Sequence, residues 1–308
     1  MILIIRGPET YLSQKRIKEI LKKAEEEKRE IKFFDLKEEN HFLSIKREFF
    51  NIGFFNQKKL FILENASFNK TFQEDFQKEI ENFASSPHLI VFYEKEEEKN
   101  RSLSKAIEKK AKKEYYDFLT KKETEKWLSQ MANKKNFTFE KGAKEKLIEL
   151  LGNNLWLIEK EIEKLLTFKE KKISLSDIKK LVSPQLTINI FNTLEMLAQK
   201  KKKEAILMIK KHLEKDSPQY LFSMFIYQLR EMLILKDFLE RTKTKNLSFL
   251  QKKLKKPYFL IQKTLNCLKF FKKEELENLY QKLYFLDFKI RRGEISPDLA
   301  LFFFLNSI

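Results

Sequence analysis

A turn near the amino terminus has the position of a phosphate-binding loop but not its residues. Gly7 follows an apolar run, Ile2–Ile5, and the chain then reads Pro-Glu-Thr-Tyr-Leu-Ser-Gln. A P-loop needs a second glycine, a lysine and a serine or threonine where this chain has Leu12, Ser13 and Gln14. Without that glycine the backbone amides cannot wrap phosphates. Without the lysine and the hydroxyl, the loop has no charge for phosphate and no ligand for magnesium.

The surrounding residues also argue against nucleotide chemistry. Glu9 places a negative charge at the start of the next helix, which stabilises the helix and repels phosphate. The chain has only five glycines, so no other loop can take over the role. Glu64 and Asn65 end an apolar run where a nucleotide hydrolase would have paired acids. The sequence therefore predicts the architecture of a nucleotide-binding domain without its chemistry, and no cofactor.

No other catalytic or metal-binding pattern is found. The chain lacks G-x-S-x-G, H-E-x-x-H and a glycine-rich dinucleotide turn. Its three histidines, His41, His88 and His212, are scattered and accompany a lone Cys267, which argues against a zinc site. We expect no catalytic residue and no metal ligand. A single cysteine also fits a reducing cytoplasm.

The net charge of +18 favours a polyanionic partner such as nucleic acid. Lysine, phenylalanine, isoleucine and asparagine are abundant throughout, however, so a compositional bias of the genome is an alternative explanation for the excess lysine. No stretch approaches the roughly 18 to 20 apolar residues of a membrane span. The amino terminus lacks the basic-then-apolar order of a signal peptide. We expect a cytoplasmic protein that does not contact a membrane.

Residues 1–120 alternate short apolar runs with helical patterns. The runs are Ile2–Ile5, Ile31–Leu36, Leu60–Leu63, Leu89–Tyr93 and Tyr115–Leu119. Strands that are apolar throughout and separated by helices predict a parallel sheet covered on both faces. In such a sheet ligands bind at the carboxyl ends of the strands.

The rest of the chain is predicted to be helical, in two domains. Residues 121–184 begin with a capping box formed by Thr120 and Glu123, and no strand pattern interrupts the helices that follow. Residues 185–308 are predicted to form a third, all-helical domain. Its helix starts are predicted at Ser217-Pro218, at Ser248 with Gln251, at Pro257 and at Ser296-Pro297.

The segment Asn51–Leu63 contains the first candidate binding residues. Gly53 loosens the backbone, and Phe54 and Phe55 follow at once. Neighbouring residues of a helix point about 100° apart, so two adjacent aromatics cannot both face one core. An aromatic pair at the end of an element suits a pocket in a partner protein. The alternative is that both rings cap the local core.

A basic cluster, Lys289, Arg291 and Arg292, ends a predicted helix before Gly293. Cations at a helix carboxyl terminus suit the macrodipole, which is the simplest explanation. The same cluster would also suit a nucleic-acid backbone.

Motifs spread over nearly the whole chain resemble those of one family, the delta subunit of bacterial DNA polymerase III. They are Ile5–Leu12, Phe54–Leu63, Leu89–Tyr93, Arg101–Ile107, Ile158–Leu165, Ile188–Phe191, Tyr227–Arg230 and Asp287–Gly293. The predicted domain order is also that of clamp-loader subunits. The resemblance implies an α/β plus all-α fold: a degenerate AAA+-like parallel-sheet domain, a small helical lid domain and a C-terminal helical collar domain.

The resemblance also implies a function. Such a subunit binds the beta sliding clamp and holds one of its interfaces open, without hydrolysing ATP, as part of a DNA-directed DNA polymerase holoenzyme. Phe54 and Phe55, with Ile52, match the hydrophobic wedge. The glutamine that begins many clamp-binding peptides would fall near Phe50 and is absent. The collar would assemble with the tau/gamma and delta-prime subunits, and Lys289–Arg292 would lie near primer-template DNA.

Two other classes of protein remain open. One is an ATP-hydrolysing clamp-loader or helicase-loader relative, against which Leu12, Ser13 and Gln14 argue. The other is a basic helical nucleic-acid-binding protein that works without a clamp, which predicts a steep salt dependence of DNA affinity for the isolated chain.

Overall fold

A computed structural model describes residues 1–51, 57–95, 103–168, 171–184, 186–214 and 216–307, without the side chains of residues 186–188 and 252. The chain divides into two compact units, Met1–Phe118 and Leu119–Ile308. Within the described ranges, no helix is long and apolar enough to cross a membrane.

The first unit contains a five-stranded sheet with helices between the strands. Its strands are β1 Ile2–Arg6, β2 Glu30–Asp35, β3 Lys59–Glu64, β4 Leu89–Glu94 and β5 Lys112–Tyr115. Its helices are α1 Thr10–Glu26, α2 Phe42–Phe50, α3 Lys70–Lys78, α4 Ile80–Ser85 and α5 Lys105–Lys110, with a short 3-10 turn at Ala66–Phe68. The strand order is β2-β3-β4-β1-β5, and every neighbouring pair is parallel. The prediction of a parallel sheet is confirmed.

Both faces of the sheet are covered, because successive strand residues point to opposite sides. On β1, Leu3 and Ile5 pack with apolar residues of α1. Ile2 and Ile4 face the other side and pack with residues of α2, α3, α4 and α5. Burying each such aliphatic side chain contributes roughly 1.5 to 3 kcal/mol. The continuous apolar runs of the sequence follow from this two-sided burial.

Phenylalanine rings form a large part of the core between the sheet and helices α2 to α4. Phe76 and Phe83 stack with ring centroids 4.4 Å apart. Phe49, in the last turn of α2, meets Phe83 edge to face at 4.5 Å and lies 5.5 Å from Phe61 of β3. Aromatic pairs at these separations add about 0.5 to 1.5 kcal/mol each to their area burial. The carboxyl-terminal turn of α2 is therefore firmly packed.

The second unit is almost entirely helical. Its helices are α6 Lys121–Lys134, α7 Ala143–Leu151, α8 Leu155–Phe168, α9 Leu175–Leu181, α10 Leu186–Ala198, α11 Lys202–Leu213, α12 Pro218–Thr242, α13 Leu247–Leu254, α14 Tyr258–Leu268, α15 Lys273–Arg291 and α16 Pro297–Asn306. Two strands, β6 Thr138–Phe139 and β7 Lys172–Ile173, form a short parallel pair. The further division at residue 184 stays a prediction.

Several predicted helix caps are found where the sequence indicated. The Thr120 amide donates to Glu123 Oε2 at 2.7 Å, and the Glu123 amide donates to Thr120 Oγ1 at 3.3 Å, so the capping box of α6 is confirmed. Ser217 Oγ accepts from the third residue of α12, and Ser296 Oγ accepts from the third residue of α16. These bonds satisfy amides that have no partner inside the helix.

Two strand predictions were wrong. The fifth strand is Lys112–Tyr115 rather than Tyr115–Leu119. It pairs only with β1, at the edge of the sheet, so its charged side chains remain in solvent and leave no apolar run in the sequence. The pair β6 and β7 was missed because two residues are too few to show an alternating pattern.

Two helix starts also differ from the prediction. Asn246, not Ser248, caps α13, because its Oδ1 accepts the amide of Phe249 at 3.1 Å. Asn and Ser cap helices about equally well, so the residue types alone did not show which of the two begins α13. In the first unit, the sequence pattern predicts a helix from about Ser102 to Lys112, whereas α5 spans Lys105–Lys110 with Ser104 as its cap.

We expect Gly7→Ala to destabilise the first unit by more than about 3 kcal/mol, because the new Cβ would lie 2.1 Å from the backbone oxygen of Tyr116. Gly7 also has φ +132°, where side chains are strained. Gly142→Ala is the control: it has φ +83° but open space around it, so about 1 kcal/mol should be lost. Urea unfolding followed by circular dichroism measures both. Equal losses would contradict the steric argument.

Candidate functional site

The turn between β1 and α1 is closed by the chain itself. The Glu9 amide donates to the carbonyl of Tyr116 at 3.0 Å, and the Tyr116 amide donates to the carbonyl of Arg6 at 2.8 Å. Gly7 permits this approach because a Cβ there would collide with Tyr116. The segment after β5 therefore lies against the turn where a nucleotide-binding protein would hold phosphate.

Glu9 occupies the anion-binding position of this turn. Its Oε1 accepts the backbone amide of Tyr11 at 3.0 Å, and the residue is only 4% exposed. The amino terminus of a helix attracts anions through its free amides and its dipole. Here the protein's own carboxyl group takes that place. Burial raises the pKa of Glu9 to about 7, although the hydrogen bond from Tyr11 opposes the shift.

The acids that end the neighbouring strands are held by other side chains. Glu94, the last residue of β4, accepts from the amide and the hydroxyl of Ser67, at 3.3 and 2.5 Å. Burial raises the pKa of Glu94, and the bonds from Ser67 lower it less. Glu64 is ion-paired with Lys95. Among the described residues, no group of three acids, histidines or cysteines could hold a metal ion.

Asn65 and Asp35 complete this carboxyl edge of the sheet. Asn65 has φ +58°, and its side-chain amide donates to Asp35 Oδ1 at 3.0 Å. A nucleotide hydrolase would place an acid and a metal at this position. The polar side chains named at this edge therefore form hydrogen bonds and an ion pair with other groups of the protein.

The predicted clamp-binding residues Ile52, Phe54 and Phe55 lie outside the described residues, and their role stays a prediction. The flanking chain is described. Helix α2 returns from the carboxyl edge of the sheet and ends beside the start of β3, so Asn51 and Gln57 both lie at the amino edge. The described residues on either side of this gap therefore lie at the edge opposite to the closed nucleotide-type turn.

The end of α2 separates two adjacent phenylalanines into two environments. Phe49 is buried, whereas Phe50 is 46% exposed, with its ring 5.3 Å from that of Phe49. Leu43, earlier on α2, is more exposed still. Adjacent residues of a helix face different directions. The same reasoning led to the prediction that Phe54 and Phe55 cannot both face one core. At the amino edge, Phe50 thus presents an apolar ring to solvent, whereas Leu43 lies at the other end of α2.

The basic cluster lies at the end of α15, as predicted. Gly293 has φ +72°, and its amide and the next one donate to the carbonyls of Ile290 and Lys289 at 2.9 and 3.0 Å. This pattern is a Schellman motif, in which a left-handed glycine ends the helix. The cations beside the carbonyl end also favour the helix dipole.

The three cations of the cluster differ in their surroundings. Arg291 pairs with Asp287 at 2.8 Å, and Arg292 pairs with Glu294 at 2.9 Å. Lys289 is exposed, and the described residues provide no ion pair for it. Among the three, Lys289 therefore has the charge most available to a polyanion.

Sequence reasoning missed an aromatic surface on the same helix. Tyr284, Phe285 and Phe288 are all exposed, and Arg292 lies over the ring of Phe288 at 5.4 Å. The signal was the adjacent Tyr284-Phe285 pair, since one residue of such a pair must leave the core.

Comparisons with known proteins agree on one family. A family model described as the DNA polymerase III delta subunit matches residues 3–115, and one described as that subunit's C-terminal domain matches residues 187–308. A model described as a middle domain matches residues 120–180. DNA polymerase III subunit delta of Bacillus subtilis (strain 168) is 27% identical, over 99% of this chain and 91% of its own length.

The fold is shared with a solved structure. The Bacillus subtilis DNA clamp loader delta protein (YqeN) aligns over 99% of this chain and 94% of its own, with a TM-score of 0.76 and 24% identity. The RuvB Holliday junction branch migration motor of Thermotoga maritima aligns over 58% of this chain and 60% of its own. Its TM-score of 0.40, at 18% identity, is too low to support an argument.

We expect Glu9→Gln to make the protein more stable above pH 7. The raised pKa of Glu9 means that the unfolded chain loses its proton near pH 4.5 but the folded chain only near 7. The free energy of unfolding therefore decreases as the pH rises from about 4.5 to about 7, and it stays lower above pH 7. Glutamine keeps an acceptor for the Tyr11 amide without a charge, and the gain at pH 8 is at most about 3 kcal/mol.

Urea-unfolding midpoints between pH 4 and 8 test this expectation. Glu123→Gln is the control with the opposite sign, because bonds from Thr120 lower the pKa of Glu123, so its ionised form is the favoured one. If the urea-unfolding midpoint changed with pH in the same way in wild type and Glu9→Gln, the carboxyl group of Glu9 would not keep its proton up to about pH 7 in the folded protein.

Proposed function

Because this chain belongs to the family of DNA polymerase III delta subunits, we propose that it binds the beta sliding clamp and opens it for loading onto primed DNA, without hydrolysing ATP itself. The observation that carries the proposal is the match of two delta-subunit family models, which together cover more than half of the chain. As a component of the DNA polymerase III holoenzyme it would work in the cytoplasm, beside the tau/gamma and delta-prime subunits.

The proposed contact with the clamp is a hydrophobic wedge made by Phe54 and Phe55, with Ile52 beside them. Each aromatic side chain buries roughly 150 to 250 Å². At about 25 cal/mol per Å² the pair would contribute several kcal/mol, part of which offsets the entropy lost on association. The exposed Phe50 supports an apolar contact at this edge of the sheet.

A wedge of this kind biases an equilibrium and performs no cyclic work. It stabilises the open form of a clamp that can open by itself, by as much as it binds that form better than the closed one. Release must then come from elsewhere. We propose that ATP on neighbouring subunits controls access to Phe54 and Phe55.

The absence of ATP hydrolysis in this chain is supported by the closed turn after β1. The carboxyl group of Glu9 takes the place of phosphate, and the residues at the P-loop positions, Leu12, Ser13 and Gln14, offer no ammonium group to a nucleotide. An ATP-hydrolysing loader would need that turn to be open.

The second unit provides the surfaces for assembly and for DNA. Exposed apolar residues of α16, Leu299, Phe302 and Phe303, support a helix–helix contact with the tau/gamma and delta-prime subunits. Lys289, with Arg291 and Arg292, would contact the phosphates of primer-template DNA in the assembled loader. The isolated chain should bind DNA weakly, in contrast to a nucleic-acid-binding protein that works alone.

We expect the double variant Phe54→Ala/Phe55→Ala to weaken binding to the cognate beta clamp by at least about 100-fold, since it removes most of the wedge area. Leu43→Ala is the matched control: it shortens an exposed apolar residue of α2 and should leave affinity unchanged. Surface plasmon resonance on immobilised clamp measures both, and equilibrium dialysis should detect no ATP binding to the wild type.

Unchanged clamp affinity in the double variant would mean that other residues of the chain make the contact with the clamp. No clamp binding by a folded wild-type protein would favour the basic nucleic-acid-binding alternative. Tight ATP binding would favour the ATPase alternative.

We expect Lys289→Ala to lower the salt dependence of primer-template binding by the reconstituted loader. Each phosphate contact contributes about −0.9 to the slope of log affinity against log salt, so the slope should become shallower by about one unit. Arg291→Ala should change it less, because Asp287 already neutralises that charge. Lys23→Ala, at an exposed position of α1, is the control. Equal slopes for all variants would exclude Lys289 as a DNA contact.

A further inference from the structure

The carboxyl terminus of α2 is capped by side chains from other elements. The last carbonyls of a helix have no partner inside it. The carbonyl of Arg47 accepts the amide of Asn51 at 3.0 Å. Those of Glu48 and Asn51 accept Lys59 Nζ at 2.6 and 3.2 Å. The ring of His88 packs on Phe49 in the same turn.

Lys59 is the first residue of β3 and is only 5% exposed. A lysine is almost never buried to this extent unless its charge is compensated. The ammonium group lies 3.5 Å from a carboxylate oxygen of Glu30 and 3.7 Å from one of Glu48. The distance from the ammonium group to the backbone carbonyl oxygen of Glu48, 2.6 Å, is about 1 Å shorter than either distance to a carboxylate. The helix end, where the dipole is negative, is therefore the principal partner of this charge.

Lys32 shows which of these contacts depend on Lys59. Its ammonium group lies 2.8 Å from Glu30 and 3.0 Å from Glu48, closer to both carboxylates than Lys59 is. Without Lys59 the two carboxylates would keep a cation. The carbonyls of Glu48 and Asn51 would lose the donor that they have here. The specific role of Lys59 is thus at the end of α2.

His88 completes the same connection. Its Nδ1 accepts the backbone amide of Lys59 at 3.0 Å, and its ring lies edge to face on Phe49, with centroids 4.9 Å apart. The acceptor role of Nδ1 leaves Nε2 as the protonated nitrogen of a neutral imidazole. The start of β3, the loop before β4 and the last turn of α2 are therefore joined through two side chains.

We propose that Lys59 is a positioning residue for clamp binding. By joining the last turn of α2 to the first residue of β3, it sets where the chain leaves the helix at Asn51 and where the strand begins. Phe54 and Phe55 lie in the chain between these two points, whose positions therefore limit where the two residues can meet the clamp. The inference rests on the proposed function and adds to it a residue that need not touch the clamp.

A preorganised attachment matters for a short binding segment. A wedge that must be ordered on binding loses part of its contact energy to that ordering. Fixing both ends of the segment beforehand lowers this loss without any new contact to the partner. Removal of Lys59 should therefore weaken clamp binding even though the aromatic residues are unchanged.

The test compares three variants for clamp affinity by surface plasmon resonance, at a temperature where circular dichroism shows each to be folded. Lys59→Met keeps the aliphatic stem but removes the ammonium group, and we expect about 10-fold weaker binding. Lys59→Arg keeps a cation and should recover most of the affinity. Lys32→Met removes ion pairs to the same two carboxylates but no carbonyl contact, and should leave affinity unchanged. Normal affinity of folded Lys59→Met would overturn the proposal.

A second comparison separates positioning from general destabilisation. In a Phe54→Ala background, which weakens the wedge, Lys59→Met should have a smaller effect than in the wild type, because both changes act on one contact. An equal effect in both backgrounds would overturn the proposal, since Lys59 would then act on binding by another route.

Amide hydrogen exchange gives a readout that does not need the clamp. Exchange at the Asn51 amide should become faster in Lys59→Met but not in Lys32→Met, because only the former loses the cap. Unchanged exchange in Lys59→Met would overturn the capping role itself. If the wild type binds no clamp, the proposed function fails, and exchange at Asn51 still decides whether Lys59 holds the end of α2.

Discussion

A parallel sheet requires each crossover to carry the chain from the carboxyl edge back to the amino edge, and this constraint organises the first unit. The carboxyl ends of the strands, with their polar residues, lie at one edge of the sheet. The carboxyl ends of the crossover helices lie at the other edge. The turn after β1 belongs to the first edge, and the end of α2 to the second. Two regions with different chemistry are thus separated by the length of the strands.

Buried charges are used differently at the two edges. At the carboxyl edge, Glu9 and Glu94 accept bonds from nearby amides and a hydroxyl, and burial raises the pKa of both. Of the two, Glu9 lies in the turn where a nucleotide-binding protein would hold phosphate. At the amino edge, Lys59 donates to carbonyls at the end of α2. A buried charge there connects the end of α2 to the start of β3.

Much of the fold could be predicted from local patterns. The apolar runs of β1, β3 and β4 reflect burial on both faces, and the capping box at Thr120 and Glu123 forms between residues three positions apart. The nucleotide-binding chemistry could be judged missing because a P-loop depends on a short run of neighbouring residues. The edge strand β5 and the short β6–β7 pair could not be predicted in this way, because neither is apolar enough or long enough.

The sequence by itself determined most of the helices, the strands β1 to β4, and that the turn after Gly7 cannot cradle phosphate, because propensity, capping and periodicity act over a few residues. Only the tertiary structure decided what Lys59 and His88 do. In the sequence Lys59 is one of two adjacent lysines before an apolar run, and His88 is one of three scattered histidines. The residues that they contact lie 8 to 39 positions away along the chain. Parallel strand pairing brings these groups together, and no local pattern records that pairing.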